Sequence, residues 1–486
     1  MRSKTIRLIF LFITISFSTI LKAQSPSFIN DFAEKWCHQP LLNHASIAFC
    51  MVDSKTGKVI LEKNAGQSMA PASNMKLLTT ATALEKLGPD FQFSTKLAYR
   101  GEIRNDTLKG DLIIVGGGDP ALGSHYFKNN YFNPFFLEQW SRTLRRAKIK
   151  YIQGNLIADV SIFDDRSIPS TWIWEDMGNY YGAGPSALNI YDNTVTIHFF
   201  SPTIPDRQTT ILKTTPEVPG MSFKNEVKSS LEQSDEAYVY GSPNDFHRII
   251  RGTIPRDKSD FRVKASVPDP PLLILNQFKQ RLSADSVELA GSLQVLHQPV
   301  LPADSILAIT FSPSLRQIID VTNHESVNLF AETLLKYMAY TEGSPGTTQN
   351  GIRLVSEFWK NKGIATDGLC MMDGSGLSRF NMVTPRQITQ LLLYMKNRSK
   401  YGKAFFESLP AAPNGTLWYF HAANFPDSSL RAKSGSMTRI RCFSGSLTTV
   451  HHKEILFSIM LNNFSCSQSS AIAAIENLLT AIRLKQ

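Results

Sequence analysis

Residues 71–89 read PASNMKLLTTATALEKLGP, with apolar residues at helical spacing as far as Leu87 and a Gly-Pro pair after it. This pattern predicts a helix over 74–87 with Ser73 at its start. Residues three positions apart share one face of a helix, so the Lys76 amine lies within reach of the Ser73 hydroxyl. The free N–H groups of a helix start also favour negative charge developing on Ser73. Alone, the S-x-x-K pattern is weak, because it arises by chance about twice in a chain of this length.

Two further short motifs follow it along the chain. Ser326-Val327-Asn328 is an S-x-N pattern that opens a predicted helix, and alone it is best explained as an ordinary N-cap. Lys433-Ser434-Gly435-Ser436 is a K-[S/T]-G pattern on a predicted edge strand, and alone it is a polar turn. An earlier KTG at residues 55–57 lies in a predicted hairpin turn and is interpreted as structural.

The order and spacing of the three motifs are more specific than any one of them. S-x-x-K, then S-x-N, then K-[S/T]-G marks the penicillin-recognising serine acyltransferases. Ser326 lies 253 residues after Ser73, and Lys433 lies 107 residues after Ser326. Compact class A β-lactamases have a much shorter first gap. A large insertion is therefore expected between the first two motifs.

The sequence pattern divides the chain into a split domain and an insertion. Residues 44–61 predict a β-hairpin ahead of the first helix. Over 91–267, short strand-like segments alternate with turns, which predicts a β-rich insertion of two subdomains. Residues 24–90 and 268–486 are predicted to form the catalytic domain. Predicted helices after the insertion are 272–282, 326–340, 350–362, 384–397 and 469–484, and predicted strands are 441–450 and 454–462.

The amino terminus carries part of the net charge of +10. Residues 1–23 combine a basic start, a 14-residue run that is apolar apart from Thr and Ser, and Leu-Lys-Ala, which is typical of a signal peptide cleaved after Ala23. The run is too short for a membrane span, the alternative explanation. Four bases and no acid lie there, which leaves +6 on the rest. We expect a periplasmic protein, soluble or peripherally associated with the cell wall or membrane, that binds no nucleic acid.

The cysteines and histidines have no metal-binding spacing. No C-x-x-C, H-E-x-x-H or EF-hand pattern occurs, so neither a metal nor another cofactor is expected. The five cysteines allow pairs such as Cys37–Cys50, and the spacing leaves their connectivity open.

With these motifs, nearly the whole mature chain resembles the class C low-molecular-mass penicillin-binding proteins, which are D-alanyl-D-alanine carboxypeptidase/endopeptidases. Two departures from the family pattern are Ser434, where Thr is usual, and Asn414, where Asp is common. The resemblance implies an α/β (α+β) serine β-lactamase/transpeptidase-like fold, with an antiparallel sheet flanked by helices and β-rich inserted domains. Further matching segments are 118–120, 159–163, 172–177, 186–188, 373–379, 384–385 and 415–417.

The expected reaction is serine acyl transfer on peptidoglycan stem peptides, with β-lactam antibiotics as acylating inhibitors. Ser73 would be the nucleophile and Lys76 its general base, which requires a lowered lysine pKa. Burial and the second cation Lys433 are expected to supply that lowering. The remaining roles are a proton relay by Ser326, amide binding by Asn328, and an oxyanion hole from the N–H groups of Ser73 and Ser436. Lys433 and Ser434 would bind the terminal carboxylate, and Gly435, which follows Ser434, is predicted to belong to the same substrate-binding segment.

Specificity and rival functions stay open at this point. By resemblance, Asp159 and Arg379 could contact the charged side chain of the stem peptide, and ordinary surface ion pairing explains them equally well. No Glu on a short loop after the S-x-N motif indicates a deacylating base, so slow turnover of penicillin is expected. A β-lactamase or esterase using the same serine is one alternative, and a non-catalytic wall-binding scaffold is another. No G-x-S-x-G elbow is present, which disfavours an α/β-hydrolase.

Overall fold

The computed structural model describes residues 26–127, 135–299 and 303–486. The predicted signal peptide, residues 1–23, lies outside these ranges. The described α-helices are α1 Pro26–Cys37, α2 Lys76–Leu87, α3 Phe135–Arg146, α4 Trp174–Met177, α5 Pro270–Ala284, α6 Leu315–His324, α7 Asn328–Thr341, α8 Thr348–Asn361, α9 Pro385–Asn397, α10 Gly402–Glu407 and α11 Gln468–Lys485. The described strands are β1 Ser46–Asp53, β2 Val59–Lys63, β3 Ser94–Arg104, β4 Thr107–Val115, β5 Tyr151–Ile152, β6 Leu156–Asp159, β7 Thr194–Ser201, β8 Thr210–Thr215, β9 Ser222–Ser230, β10 Tyr238–Tyr240, β11 His247–Pro255, β12 Lys258–Ser266, β13 Glu288–Leu289, β14 Leu293–Leu296, β15 Ser305–Phe311, β16 Leu430–Met437, β17 Ile440–Thr448 and β18 Glu454–Asn462.

The two ends of the chain meet in one five-stranded antiparallel sheet, which we call the principal sheet. Its strand order is β16-β17-β18-β1-β2, so the amino-terminal hairpin pairs with the carboxy-terminal strands. Successive side chains of a strand point to opposite faces. Ala48 and Cys50 of β1 accordingly enter one hydrophobic cluster, and Phe49 and Met51 enter another. The sheet is therefore buried on both faces, which explains its continuous apolar strands.

Helices cover both faces of the principal sheet. On one face α1 and α11 pack together, and the Trp36 indole donates a hydrogen bond to the Ala474 carbonyl at 2.7 Å. On the other face lie α2 and the group α6 to α9, whose apolar sides include Leu77 and Leu334. The predicted antiparallel sheet flanked by helices is thus confirmed. No helix within the described ranges is long and apolar enough to cross a membrane.

Helix caps explain why the later helices lie close to their predicted ranges. Asp269 caps α5 by accepting a hydrogen bond from the Leu272 N–H at 2.9 Å, and Pro270 follows as the first helical residue. Thr384 and Gln387 form a capping box at the start of α9. Such signals are local, so the sequence alone carries them.

The cysteines form no disulfide in the structure. Both thiols of the conceivable Cys37–Cys50 pair are free.

The intervening segment has its own core and three sheets. A seven-stranded sheet contains β3 to β6 and β13 to β15, and two three-stranded sheets have the orders β10-β11-β9 and β12-β7-β8. Apolar residues of all three, with those of α3, form a separate hydrophobic cluster. The amphipathic helix α3, which was not predicted, buries Trp140 in it. The segment is β-rich but includes helical packing.

This second core extends past the predicted boundary at residue 268. Phe278 of α5 is buried in its hydrophobic cluster, and β15 pairs with β3. The next helix, α6, packs into the cluster under the principal sheet. A boundary inferred from the return of helical periodicity comes too early here, because α5 is itself a helix packed on the insertion. These contacts favour a boundary near residue 312.

Candidate active site

Ser73 lies at the start of the site, in a 3-10 turn, Ala72–Met75, that leads directly into α2. Ala72 has a left-handed backbone conformation with φ of 47°, which bends the chain just before the serine. The Lys76 Nζ donates a hydrogen bond to the Ser73 Oγ at 3.0 Å. The spacing of three residues therefore brings the two side chains together as predicted, although the turn at Ser73 is 3-10 rather than α-helical.

The Lys76 amine is buried and fully hydrogen-bonded. Besides Ser73, its Nζ donates to the Asn328 Oδ1 at 2.6 Å and to the Ser375 carbonyl at 2.7 Å. Burial lowers the pKa of Lys76 to about 7, against the opposing charges of Asp373 and Glu332. A lysine with such a pKa is substantially neutral near pH 7, which a general base requires.

A second buried lysine faces the same site from the edge strand β16. The Lys433 Nζ donates to the Ser326 Oγ at 3.0 Å and to the Ser434 carbonyl at 2.9 Å. Burial, and then the charge of Lys76, hold the pKa of Lys433 well below its usual value. From the sequence, part of the lowering of the Lys76 pKa was expected to come from the charge of Lys433. In the structure burial is the main cause for both lysines, and the mutual repulsion acts on Lys433.

Ser326 and Asn328 reach the site from the start of α7. Ser326 has a left-handed backbone with φ of 60°, a conformation that costs a non-glycine residue about 1–3 kcal/mol, and strain of this kind clusters at functional sites. The Asn328 amide accepts from Lys76 and donates to the Tyr181 carbonyl at 2.7 Å. Asn328 therefore links Lys76 to the β-rich insertion, in addition to lining the cleft.

Gly435 lets the edge strand approach the serine turn. A Cβ at this position would lie 2.4 Å from the Pro71 carbonyl oxygen, a backbone atom that cannot move aside cheaply. The serine turn is also held against the neighbouring strand β17, because the Asn74 Nδ2 donates to the Ser444 Oγ at 2.7 Å. The glycine of the K-[S/T]-G motif is thus required by the closeness of two backbones rather than by a turn.

Gly435→Ala should therefore separate β16 from the serine turn. A shift of this kind misplaces Ser436 and Lys433 relative to Ser73, and a misplacement of about 1 Å can cost about 10²-fold in rate. The measurement is the second-order rate of acylation by a fluorescent penicillin, with thermal unfolding in parallel. Gly66→Ala is the matched control, because its Cβ would meet nothing within 4 Å. An unchanged acylation rate in Gly435→Ala would contradict the steric explanation.

Two buried carboxylates that the motifs did not single out as site residues support the lysine. Glu332 of α7 accepts from the N–H groups of Gly374 and Ser375, at 3.2 and 2.7 Å. It thereby directs the Ser375 carbonyl at Lys76. Burial and the neighbouring Asp373 raise the pKa of Glu332 to about 7. The sequence carried a signal for it, because Glu332 lies four residues after Asn328, on the same helix face.

Asp373 joins this loop to the insertion. Its carboxylate accepts from the N–H groups of Gly376 and Ser378, at 2.7 and 2.6 Å, and from the Trp172 indole at 2.8 Å. Trp172 belongs to the insertion, so one buried carboxylate orders the loop at residues 373–379 and connects the two cores through hydrogen bonds.

Among the described residues no group of His, Cys, Asp or Glu is arranged to hold a metal ion.

The site opens into a cleft of about 390 Å³ between the principal sheet and the insertion. Ser73, Ser326, Asn328 and Ser436 line it on one side, and insertion residues line it on the other. Lys76 and Lys433 lie beneath this lining, hydrogen-bonded to Ser73 and Ser326.

Of the two predicted specificity residues, Arg379 lines the cleft and Asp159 does not. Asp159 ends β6, and its carboxylate accepts from the Ser161 N–H at 3.0 Å. The acid near Arg379 is Asp176. Burial raises the pKa of Asp176, and the positive charge of Arg379 opposes this rise. In this structure the carboxylate beside Arg379 is thus that of Asp176, and the substrate contact of Asp159 stays a prediction.

A serine and lysine on one helical turn lie beside a second serine and lysine, on the same side of a cleft at the edge of an antiparallel sheet. This arrangement defines a serine acyltransferase of the penicillin-recognising class. Residues 30–482 match the model of the D-Ala-D-Ala carboxypeptidase 3 (S13) family, and the chain belongs to this family. It is therefore an enzyme, a penicillin-sensitive serine-type D-Ala-D-Ala peptidase.

Known proteins resemble the chain over most of its length. The D-alanyl-D-alanine carboxypeptidase of Actinomadura sp. (strain R39) is 28% identical over 446 residues, which are 88% of this chain and 79% of that protein. The crystal structure of penicillin binding protein 4 (dacB) from Haemophilus influenzae is 23% identical, with a TM-score of 0.78 over 90% of this chain and 96% of that one. A complex of that protein with a β-lactam has a TM-score of 0.74 at 22% identity, over 90% and 96% of the two chains.

Proposed function

We propose that the enzyme hydrolyses the bond between two D-alanines of peptidoglycan stem peptides through an acyl-enzyme on Ser73, with Lys76 as general base. The observation that carries the proposal is the buried Lys76 amine, with a pKa of about 7, at 3.0 Å from the Ser73 Oγ. An exposed lysine at the same distance would be protonated and could not accept the proton of the serine.

The proposed acylation begins with transfer of the Ser73 hydroxyl proton to neutral Lys76. The Ser73 Oγ bonds to the carbonyl carbon, and the N–H groups of Ser73 and Ser436 bind the resulting oxyanion. The carbon–nitrogen bond then breaks, and the proton that Lys76 took from Ser73 passes through Ser326 to the leaving amine, which returns Lys76 to its neutral form. Water cleaves the ester to release the shortened peptide and restore Ser73. The contact of Ser326 with Lys433 supports its role as a relay.

Substrate binding is proposed for the remaining groups of the cleft. Lys433 and Ser434 bind the terminal carboxylate. Its negative charge also offsets the free energy that is needed to keep Lys433 protonated in its buried position. Asn328 holds the peptide amide. Arg379, together with Asp176 in place of the predicted Asp159, contacts the charged side chain of the stem peptide. A zwitterionic side chain fits this pair, because one partner is cationic and the other anionic.

An exported, periplasmic location is part of the proposal. It is supported by the signal-peptide pattern of residues 1–23 with cleavage after Ala23. The charge of +6 on the rest of the chain suits work beside an anionic envelope, including peripheral association with it. The substrate class, peptidoglycan, is present only outside the cytoplasmic membrane once assembled.

Incubation with purified muropeptides, followed by mass analysis of the products, tests the proposed function. We expect release of D-alanine from monomers that end in D-Ala-D-Ala, and Ser73→Ala as the control should release none. Conversion of cross-linked dimers to monomers would assign an endopeptidase activity as well. Fast and sustained hydrolysis of penicillin with no action on either peptide would favour the rival β-lactamase. Absence of any reaction by the wild-type enzyme would favour the scaffold.

A further inference from the structure

A histidine and an aspartate in the cleft have no part in the reaction described above. The His125 side chain is 40% exposed, and that of Asp192 is 3% exposed. The Asp192 Oδ2 accepts from the His125 backbone N–H at 3.1 Å and also contacts the His125 Nδ1. Because the carboxylate holds the Nδ1 side of the ring, the Nε2 side is the one left for another partner.

The backbone around Asp192 is built to hold this carboxylate in place. Tyr191, Asp192 and Asn193 all have left-handed conformations, with φ of 52°, 58° and 51°. Three such residues in succession are costly, and strain of this kind concentrates at functional sites. Moreover, within the described part of the chain the buried Asp192 Oδ1 has no hydrogen-bond partner. Backbone strain and unpaired buried polar atoms are both features that occur at functional sites.

A lysine of the insertion meets the free side of the imidazole. The Nζ of Lys264, an exposed residue on β12, lies 3.5 Å from the His125 Nε2. No carboxylate of the described residues lies within ion-pair distance of this ammonium, although four acids line the same cleft. Tyr126 packs its ring against His125, with centroids 4.0 Å apart, and fixes the plane of the imidazole.

Two of the four acids that line the cleft have a basic neighbour of their own. The Asp192 carboxylate contacts the His125 ring, and the positive charge of Arg379 acts to lower the pKa of Asp176. Glu175 and Glu325 also line the cleft. When the imidazole is protonated, both Nε2 and Nζ donate, and two donors 3.5 Å apart match the two oxygens of a carboxylate.

We propose that Lys264 and His125 form an anion subsite that binds a carboxylate of the stem peptide upstream of the scissile bond. This carboxylate is distinct from the terminal one, which Lys433 and Ser434 bind. The subsite rests on the proposed function, since it needs a peptide in the cleft. Asp192 is a positioning residue, because it orients His125 and does not itself meet the ligand.

The test compares two synthetic peptides that end in D-alanyl-D-alanine. One carries a free carboxylate on an upstream glutamyl residue, and the other has that group amidated. We expect wild-type kcat/KM to be about tenfold higher for the acid, mainly through KM, as for one charge-assisted contact. Lys264→Gln should bring this ratio close to one, and His125→Gln should lower it. Lys258→Gln, an exposed lysine on the same strand, is the matched control and should keep the wild-type ratio.

Two results would overturn the subsite. The first is a wild-type ratio near one. The second is a tenfold ratio that persists in Lys264→Gln, and loss of that ratio in Arg379→Gln would then assign the carboxylate to Arg379. Labelling of the wild-type enzyme at Ser73 by penicillin, run in parallel, tests the proposed function separately. A labelled enzyme without acid preference refutes the subsite alone, and an unlabelled enzyme refutes the reaction itself.

Discussion

Replacing Ser73 with alanine will abolish covalent labelling of the protein by a fluorescent penicillin and its peptidase activity. The Ser73 Oγ is the hydroxyl hydrogen-bonded to the buried Lys76 amine, so its removal leaves no oxygen to form the ester. Loss of a nucleophile costs roughly 10⁴-fold or more in rate. Labelling is read on a denaturing gel, and peptide hydrolysis is read by D-alanine release.

Ser68→Ala is the matched control for this substitution. Ser68 lies five residues earlier, is exposed and donates only to the Gly368 carbonyl at 2.9 Å. It should label like the wild-type protein. Label that persists on Ser73→Ala, mapped by peptide mass to another serine, would contradict the assignment of the nucleophile.

Lys76→Met should lower the rate of acylation by about 10²–10⁴-fold, the usual contribution of a general base. Methionine fills a similar volume but has no nitrogen to take the proton of Ser73. It also leaves the Asn328 Oδ1 and the Ser375 carbonyl without their donor, which costs some stability. Thermal unfolding is therefore measured beside the acylation rate. Lys86→Met, on the exposed end of the same helix, is the control and should acylate normally.

The same lysine predicts the pH dependence of the wild-type enzyme. The pKa of Lys76 is about 7 rather than 10.5, and only the neutral amine accepts a proton. Acylation by penicillin should therefore fall about tenfold per pH unit below pH 7 and level off above it. Lys86→Met should show the same profile. A profile that keeps rising to pH 10 would mean that the lysine is not the base, or that burial does not lower its pKa.

The paired serine and lysine were predictable because their relation is local. Ser73 and Lys76 lie on one turn, so spacing alone brings the side chains within 3.0 Å. Helix starts such as α9 were predictable for a similar reason, since a capping box satisfies the N–H groups of its own helix. The recognised order of the three motifs then predicted the fold, an inference that rests on resemblance rather than on residue physics.

Contacts between residues that lie far apart in the sequence were harder to predict. The proximity of Arg379 to Asp176 was not predicted, because a motif does not reveal which carboxylate faces the cleft. Glu332 was missed because its role depends on the backbone of a loop 42 residues away. The boundary at residue 268 was placed too early, because α5 has the same periodicity whichever core it covers.

By itself the sequence predicted the proximity of Ser73 and Lys76, the helix that follows them and the family to which the chain belongs. Only the tertiary structure decided the chemistry of that pair. A lysine pKa depends on the loss of water around the amine, and Lys76 is buried by residues that lie as far along the chain as Asn328 and Ser375. The cleft, with Lys264 and His125 in its wall, likewise exists only where the insertion folds back on the principal sheet.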